Sequence, residues 1–343
     1  MEGSENLLGI IMAGGRGTRL MPLTTNRPKP MVPVLGRPVI DYVKDAMVAA
    51  GMSEIVVTTG YQGEQLISHV DSWNTPSRVN QEDSPMGTAG SVKLLSDELT
   101  ETFVVGSGDS VASFDVADLL DSHRKSGAKV TMALWQVEDP TEFGIVGLSE
   151  ENQGQIDSTL SEGYITKFKE KPTPEEAFSN LINAGLYIIE PEVMELVPSG
   201  EKYDFSKQLF PDVLSRGWPM YAKTVNGIWF DVGHPFELHN AQMALVEKRA
   251  DLPFPMPDGE VLPDGSFISS EASVSGHISK SIILAGAAVN GAVVNSVIMS
   301  NSRVNGVSES SIVGENSIVD SRILNCVIGD GNHIVIDLEN ERR

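Results

Sequence analysis

The sequence predicts an α/β domain followed by a β-solenoid, on three observations. Residues 1–250 alternate strand-like and helix-like segments, the pattern of an α/β domain. Residues 251–265 are crowded with proline and glycine. From residue 266 the chain repeats itself with a period of 15. At 343 residues the chain is long for one domain, so two are expected.

The elements follow in order. The apolar run 7–12 reads as a buried strand. Residues 38–50 place Val39, Ile40, Val43, Ala46, Met47 and Ala50 on one helical face, and Gly51 closes it. Residues 55–59 and 102–105 are strands. Residues 115–126 are helical, with Val116, Leu119 and Leu120 inward and Gly127 as the stop. Residues 130–135 return as a strand. Segments 221–225 and 228–231 flank Asn226-Gly227, a two-residue hairpin signal.

In 251–265, Pro253, Pro255, Pro257 and Pro263, with Gly259 and Gly265, exclude a helix or a central strand. This stretch is the expected linker between a domain at 1–250 and a repeat domain at 266–336. The repeats begin at Ser266, Ser281, Ser296, Ser311 and Cys326, and eight residues after each start come Val274, Val289, Val304, Val319 and Ile334. β-Branched residues at fixed slots, with Gly, Asn and Ser between, describe coils that stack and bury one aliphatic ladder. Residues 337–343 read as a polar, frayed tail.

Composition narrows the function. Hydrophobic content of 41% suits a globular core. The formal charge of −22, from 47 acidic and 25 basic residues, argues against a general binder of nucleic acid or anionic membrane. It also points to a high-salt cytoplasm, where an acidic surface keeps a protein soluble and salt screens its self-repulsion. No apolar run reaches the roughly 18 residues of a membrane helix. Residues 1–6 lack the basic start of a signal peptide. The one cysteine, Cys326, excludes an intrachain disulfide and fills a slot held by serine in the other repeats. His234 and His239 fit no zinc spacing. A cytoplasmic location is expected.

Residues 13–31 carry most of the functional information. No Asp or Glu occurs from Asn6 to Ile40, a window holding Arg16, Arg19, Arg27, Lys29 and Arg37. Backbone N–H groups at Gly14, Gly15 and Gly17 can wrap phosphate oxygens while the cations neutralise them, so this turn suits a polyanion. It is not a Walker loop, which needs Lys-Ser or Lys-Thr after its last glycine. It is not the dinucleotide fingerprint either, whose third glycine would fall at Leu20.

The run from Ala13 to Thr24, followed by Pro28-Lys29-Pro30, resembles the signature of the sugar-1-phosphate nucleotidylyltransferases, A-G-G-x-G-T-R-L-x-P-L-T and then P-K-P. The resemblance extends over nearly the whole chain. It implies a Rossmann-like nucleotidyltransferase domain with a mixed sheet, and a left-handed β-helix for the repeats, although hexapeptide coils usually take about 18 residues rather than 15. It implies transfer of a nucleotidyl group from an NTP to a hexose-1-phosphate, with pyrophosphate released. The attacking phosphate oxygen is already an anion, so catalysis must come from positioning and charge stabilisation.

The resemblance also assigns residues. Arg19 and Lys29 would hold the triphosphate, with Ala13, Gly14, Gly15, Gly17 and Thr18 forming the loop. Ser107-Gly108-Asp109, where the family has Asn-Gly-Asp, would give one metal carboxylate, and Asp231 in Trp229-Phe230-Asp231-Val232-Gly233 the other. Two carboxylates with phosphate oxygens suit Mg²⁺. His234 stands where the family often has Thr. Gly144, Glu170, Lys171 and Asn183 match the sugar-phosphate motifs, the last in Asn183-Ala184-Gly185 before a strand at 186–189. Residues 81–90, including Gln81, Glu82, Gly87 and Thr88, resemble the base-binding loop. Whether Gln81 or Glu82 meets the base stays open.

The loop's Pro-Met-Gly-Thr-Ala-Gly is similar to the form in mannose-1-phosphate guanylyltransferases, which implies GTP and mannose-1-phosphate. The alternatives are a glucose-1-phosphate uridylyl- or thymidylyltransferase, and a non-catalytic regulatory relative of the same architecture. The solenoid carries no catalytic motif of the family. It is expected to serve stability and homo-oligomer assembly, and a chain ending near Gly265 is expected to keep its sugar and base sites but to lose oligomers or thermal stability.

Overall fold

The computed structural model describes residues 7–60, 63–249, 252 and 254–343. Residues 1–6, on which the expected lack of a signal peptide rests, lie outside the described residues, as do Asp251 and Pro253 of the expected linker. In chain order the elements before the repeats are β1 (Leu8–Met12), β2 (Pro33–Val34), β3 (Arg37–Pro38), α1 (Ile40–Ala49), β4 (Glu54–Thr59), α2 (Gly63–Val70), β5 (Ser77–Gln81), α3 (Gly87–Lys93), β6 (Phe103–Ser107) and β7 (Ser110–Ala112). Then come α4 (Val116–Ser126), β8 (Val130–Gln136), β9 (Gly144–Ser149), β10 (Glu162–Glu170), β11 (Leu181–Ile189), α5 (Phe210–Ser215), β12 (Met220–Thr224), β13 (Trp229–Asp231), α6 (Pro235–Glu247) and β14 (Gly259–Val261).

The described chain forms two compact units, each built from separated stretches. One comprises the residues up to Gly14, Val43–Gly108 and Phe114–Asn226; the other comprises Gly15–Tyr42, Asp109–Ser113 and Gly227–Arg343. Packing therefore does not follow the chain-order division into 1–250, 251–265, 266–336 and 337–343. The reason is a shared apolar core: Leu20, Leu23, Val32 and Val39 bury with Ile282, Val297, Ile312 and Val327 of the repeats.

The first unit holds a mixed nine-stranded sheet in the order β5-β4-β1-β6-β11-β8-β12-β10-β9. β1 lies parallel to β4 and β6, while β11 runs antiparallel to β6 and β8. Ile10, Ile11, Val56, Val57, Val104 and Val105 are all buried, as expected of parallel strands covered on both faces. Helix α4 stops at Gly127 as its sequence predicts, and its start is capped by a side chain. The Asp115 side chain accepts from the Asp118 N–H, and Gly127, at φ +62°, closes the other end.

Two expectations fail here. Asn226-Gly227 does not join a hairpin. β12 pairs with β8 and β10, leaving it no free edge, and β13 pairs with β7 in another sheet. Asn183-Ala184-Gly185 lies inside β11 rather than before it, at a register shift between Asn183 and Tyr187.

In the second unit, β7 and β13 form a two-stranded antiparallel pair. β14 adds an antiparallel edge strand to the first solenoid sheet through Gly259–Val261. The repeats build three stacked parallel sheets, each advancing by 15 residues per coil. The interior holds Val289, Val293, Ile298, Val304, Val319 and Ile334. Two kinds of side-chain ladder set the coil spacing. Inside, the N–H of Ser296, Ser311 and Cys326 donate to the hydroxyls of Ser281, Ser296 and Ser311 at 3.1, 3.0 and 2.9 Å. At one corner Lys280, Asn295, Ser310, Asn325 and Asn340 all take φ between 46° and 57°. Asparagine tolerates that left-handed geometry, and Asn325 Nδ2 donates to Asn340 Oδ1.

The stretch 337–343 is therefore not a frayed tail. Leu338 continues the ladder of Ile323, and Val327 bridges Arg342 in parallel register. Cys326 is buried, its Sγ 3.2 Å from the Leu324 carbonyl, as Ser311 Oγ is 2.7 Å from that of Glu309.

Ser296→Ala would leave the buried Ser311 N–H without its acceptor, so it should cost about 1–3 kcal/mol. The denaturant midpoint should fall accordingly; an unchanged midpoint would contradict the hydroxyl ladder.

Candidate active site

The second unit gathers the phosphate loop and the carboxylates. Thr18–Leu20 forms a single 3₁₀ turn, anchored by the fully buried Leu20, with Arg16, Thr18 and Arg19 exposed beside it. Gly17 enters that turn at φ +62°, and a Cβ there would lie 3.0 Å from Lys29 Cβ. Thr24 Oγ1 donates to the Gly17 carbonyl at 2.8 Å. Lys29 opens a second 3₁₀ turn between Pro28 and the buried Pro30, which hold its backbone.

Strand pairing brings the carboxylates together. Asp231 lies opposite Ser110, and the Val232 N–H donates to the Asp109 carbonyl at 3.1 Å. Lys29 Nζ donates to Asp109 Oδ2 at 2.5 Å and to Asp231 Oδ1 at 3.1 Å. The Lys29 side chain is 11% exposed and the carboxylates 30% and 34%. Burial opposes the ammonium charge, but Asp109 and Asp231 more than offset it and hold Lys29 above its ordinary range. Burial, and then Asp109, push the Asp231 carboxyl up against the pull of Lys29 and Arg19.

When both carboxylates are ionised, the one ammonium in contact with them serves two negative charges, with Arg19 acting on Asp231 as well, and the carboxylate oxygens suit a divalent cation. Among the described residues no group of three or more His, Cys, Asp or Glu side chains forms a metal cage. The donor set thus fits a divalent ion that takes its other oxygens from substrate phosphates and water.

Not every cation of the basic window faces a ligand. Arg27 donates to Glu315 at 2.6 Å and pairs with Asp330. Arg37 lies over the Tyr42 ring, 5.1 Å from its centroid. For these two the expected polyanion role gives way to packing. His234 accepts from the Phe236 N–H at the start of α6, so it serves as a helix cap.

The first unit carries the other predicted residues. Ala13 is buried, its N–H donating to the Thr58 carbonyl, and Gly14 is exposed. A Cβ on Gly63 would meet the exposed Gln81 at 3.4 Å, while a Cβ on Gly14 or Gly60 would meet the half-buried Glu82 at 3.6 or 3.8 Å. Glu82 Oε2 accepts from the Met86 N–H at 2.7 Å. Burial raises its carboxyl above the ordinary range, against that hydrogen bond. The Thr88 hydroxyl donates to Asp204 and accepts from the Phe205 N–H. Gly87 lies against the backbone of Tyr203.

Glu170 ends β10 opposite Gly144, where a Cβ would come 2.8 Å from Glu170 Oε2. Burial, and then Asp204, raise the Glu170 carboxyl. Asn183 Nδ2 donates to Tyr187 Oη at 2.8 Å and Ser206 Oγ at 3.3 Å. Lys171, at φ +43°, is exposed and pairs with Glu142 at 3.5 Å. Sequence reasoning missed Tyr187, Asp204 and Ser206. The only local hint was Asp204-Phe205-Ser206, which reads as a helix start.

The nucleotidyl transferase family model matches residues 8–248. This chain belongs to the nucleotidyl transferase family. It is 32% identical over 241 residues to a UTP–glucose-1-phosphate uridylyltransferase of Synechocystis sp., covering 65% of this chain and 59% of that protein. It is 34% identical over 235 residues to a mannose-1-phosphate guanyltransferase of Debaryomyces hansenii, covering 66% and 61%. The chain thus spans about three fifths of the length of these curated relatives. A crystal structure from Bacillus anthracis, provisionally named a glucose-1-phosphate thymidylyltransferase and in complex with a sucrose, shares the fold. Its TM-score is 0.61 at 24% identity, over 73% of this chain and 97% of the other.

Lys29→Met removes the ammonium and leaves two carboxylates facing each other, so its melting temperature should fall, contrary to a purely catalytic role. Millimolar Mg²⁺ should restore part of the loss in Lys29→Met and not in Lys29→Met/Asp109→Asn. Because the Asp231 carboxyl is raised, the rescue should fade as pH falls, at a higher pH than an ordinary aspartate would give. Equal Mg²⁺ shifts in both variants would exclude the carboxylate pair as a cation site.

Proposed function

We propose that this chain transfers a nucleotidyl group from an NTP to a hexose-1-phosphate, and that its preferred substrates are GTP and mannose-1-phosphate. The observation that carries the reaction class is the Lys29 ammonium held by Asp109 and Asp231, in the same unit as the exposed Arg19. An oxygen of the sugar phosphate attacks the α-phosphorus. The new O–P bond forms as the bond to the β-phosphate oxygen breaks, and pyrophosphate leaves with the electron pair. No general base is needed. Arg19, Lys29 and the backbone N–H groups of Gly14, Gly15, Gly17 and Thr18 stabilise the charge. Bound Mg²⁺ would be held by Asp109 and Asp231 and would neutralise phosphate oxygens. Glu170, Asn183, Lys171 and the Gly144 backbone would hold the sugar phosphate.

The preference for guanine rests on Glu82. An ionised carboxylate only accepts hydrogen bonds. Guanine presents two adjacent donors, its ring N–H and its amino group, whereas uracil and thymine present one donor between two acceptors. Of the two residues left open by the sequence, Glu82 is the one beside Gly14 of the phosphate loop, so it is the better reader. Gln81, Gly87 and Thr88 would shape the base loop. The uridylyltransferase relative supports a second reading, glucose-1-phosphate with UTP or dTTP. A non-catalytic regulatory role is disfavoured by the retention of Arg19, Lys29, Asp109, Lys171 and Asp231.

Among the described residues no helix is long and apolar enough to cross a membrane. We place the protein in the cytoplasm, as a homo-oligomer assembled through the solenoid, with no nucleic-acid partner.

A pyrophosphate-release screen of five NTPs against mannose- and glucose-1-phosphate tests this. GTP with mannose-1-phosphate should be fastest. Glu82→Gln should lower kcat/KM for GTP by about 10–100-fold and narrow its lead over UTP. UTP or dTTP with glucose-1-phosphate as the best pair would establish the second reading, and no release with any pair would establish the non-catalytic one.

A further inference from the structure

The solenoid's last coils meet the phosphate loop at three points, all within the second unit. Arg342 Nη1 donates to the Arg19 carbonyl at 2.9 Å, and its Nη2 lies 3.2 Å from His234 Nε2. A Cβ on Gly329 would lie 3.1 Å from Pro22 Cβ, so Gly329 lies close against the Pro22 ring. Arg27 is clamped by Glu315 and Asp330, and Asp330 Oδ1 in turn accepts from the Glu315 N–H at 2.8 Å.

These contacts bracket residues 19–27, the stretch joining the glycine arc to Lys29. The backbone behind Arg342 is itself fixed. The Val327 N–H donates to the Glu341 carbonyl at 2.8 Å, and the Arg343 N–H donates to the Val327 carbonyl at 3.0 Å. The guanidinium fork reaches the loop carbonyl and the helix-cap imidazole together. Burial, and then Arg342 and Arg19, hold His234 below its ordinary range. With Nδ1 accepting from the Phe236 N–H, the neutral ring carries its proton on Nε2, so Arg342 packs against that edge and its hydrogen bond is the one to the Arg19 carbonyl.

We infer that Arg342 is a positioning residue for NTP binding: it holds the Arg19 turn from the solenoid, so the repeat domain sets the geometry of the phosphate loop. Arg342 is not placed on substrate and acts through Arg19. The inference rests on the nucleotidyl-transfer reading for its kinetic consequence and on the hydrogen bonds alone for its mechanical one. It also adds to the expectation that a chain ending near Gly265 keeps its sugar and base sites: the phosphate loop of such a chain would lose its support. Such a chain lacks Glu315, Gly329, Asp330 and Arg342.

The test uses the full chain with Arg342→Ala and Arg342→Lys. Three quantities are read on the same samples: steady-state kinetics, affinity for inorganic tripolyphosphate, and hydrogen exchange in peptides covering residues 15–27. A loop displaced by about 1 Å should raise KM for GTP or lower kcat/KM for GTP by roughly 10–100-fold in Arg342→Ala. KM for mannose-1-phosphate and the melting temperature should change little. Tripolyphosphate should bind more weakly and the loop should exchange faster. Lysine can keep one hydrogen bond to the Arg19 carbonyl, so Arg342→Lys should recover much of the loss.

Unchanged loop exchange and tripolyphosphate affinity in Arg342→Ala would overturn the inference. So would equal losses for GTP and sugar phosphate in step with unfolding. If the wild type has no turnover, the reaction reading fails. The positioning role is then decided by the tripolyphosphate and exchange measurements.

Discussion

Two carboxylates drawn to one ammonium are the constraint on which the rest of the second unit depends. Asp109 and Asp231 are far apart in sequence and reach Lys29 because β7 and β13 pair in register. Lys29 reaches them because prolines flank it and Gly17 leaves room beside its stem. The cluster is strongly interacting and brings cations and carboxylates together, which is what a site for polyanion and divalent cation requires.

The solenoid answers a different physical problem. A coil of 15 residues has little interior volume, so its core is limited to aliphatic residues and small hydroxyls. The hydroxyls of Ser281, Ser296 and Ser311 each accept from the next coil and donate to a carbonyl of their own, so the narrow interior leaves these groups satisfied. The left-handed corner residues turn the chain without adding length. One face of this rigid stack is then free to hold residues 15–42, whose Leu20, Leu23 and Val32 complete an apolar core with it. The proposed role of this loop, presenting backbone N–H groups in fixed geometry, would gain from such a support.

What was legible in the sequence follows the range of the interactions concerned. The strands at Ile10, Val56 and Val104, the helix after Asp115, the Gly127 stop and the repeat period are local signals, and they appear where they were expected. Asn226-Gly227 misled because the chain only bends there, at Gly227 φ +104°, while its flanking strands find longer-range partners. The stretch 337–343 looked like a tail because its surface is charged, although Leu338 and Asn340 occupy repeat slots. Arg27 looked like a phosphate ligand because its partners lie some 290–300 residues away in the chain, at Glu315 and Asp330. Tyr187, Asp204 and Ser206 carry no motif and meet Asn183, Thr88 and Glu170 only through folding.

The most direct measurement follows the α-phosphate itself. Wild-type protein and Asp231→Asn are given α-labelled GTP, mannose-1-phosphate and a series of Mg²⁺ concentrations, with GTP binding measured in parallel. The label should pass to the nucleotide sugar in the wild type, with a rate that rises with Mg²⁺. In Asp231→Asn it should remain in GTP although GTP still binds. Transfer of the label by Asp231→Asn at the wild-type rate and with the wild-type Mg²⁺ dependence would contradict the assignment of the Lys29–Asp109–Asp231 cluster as the reaction centre.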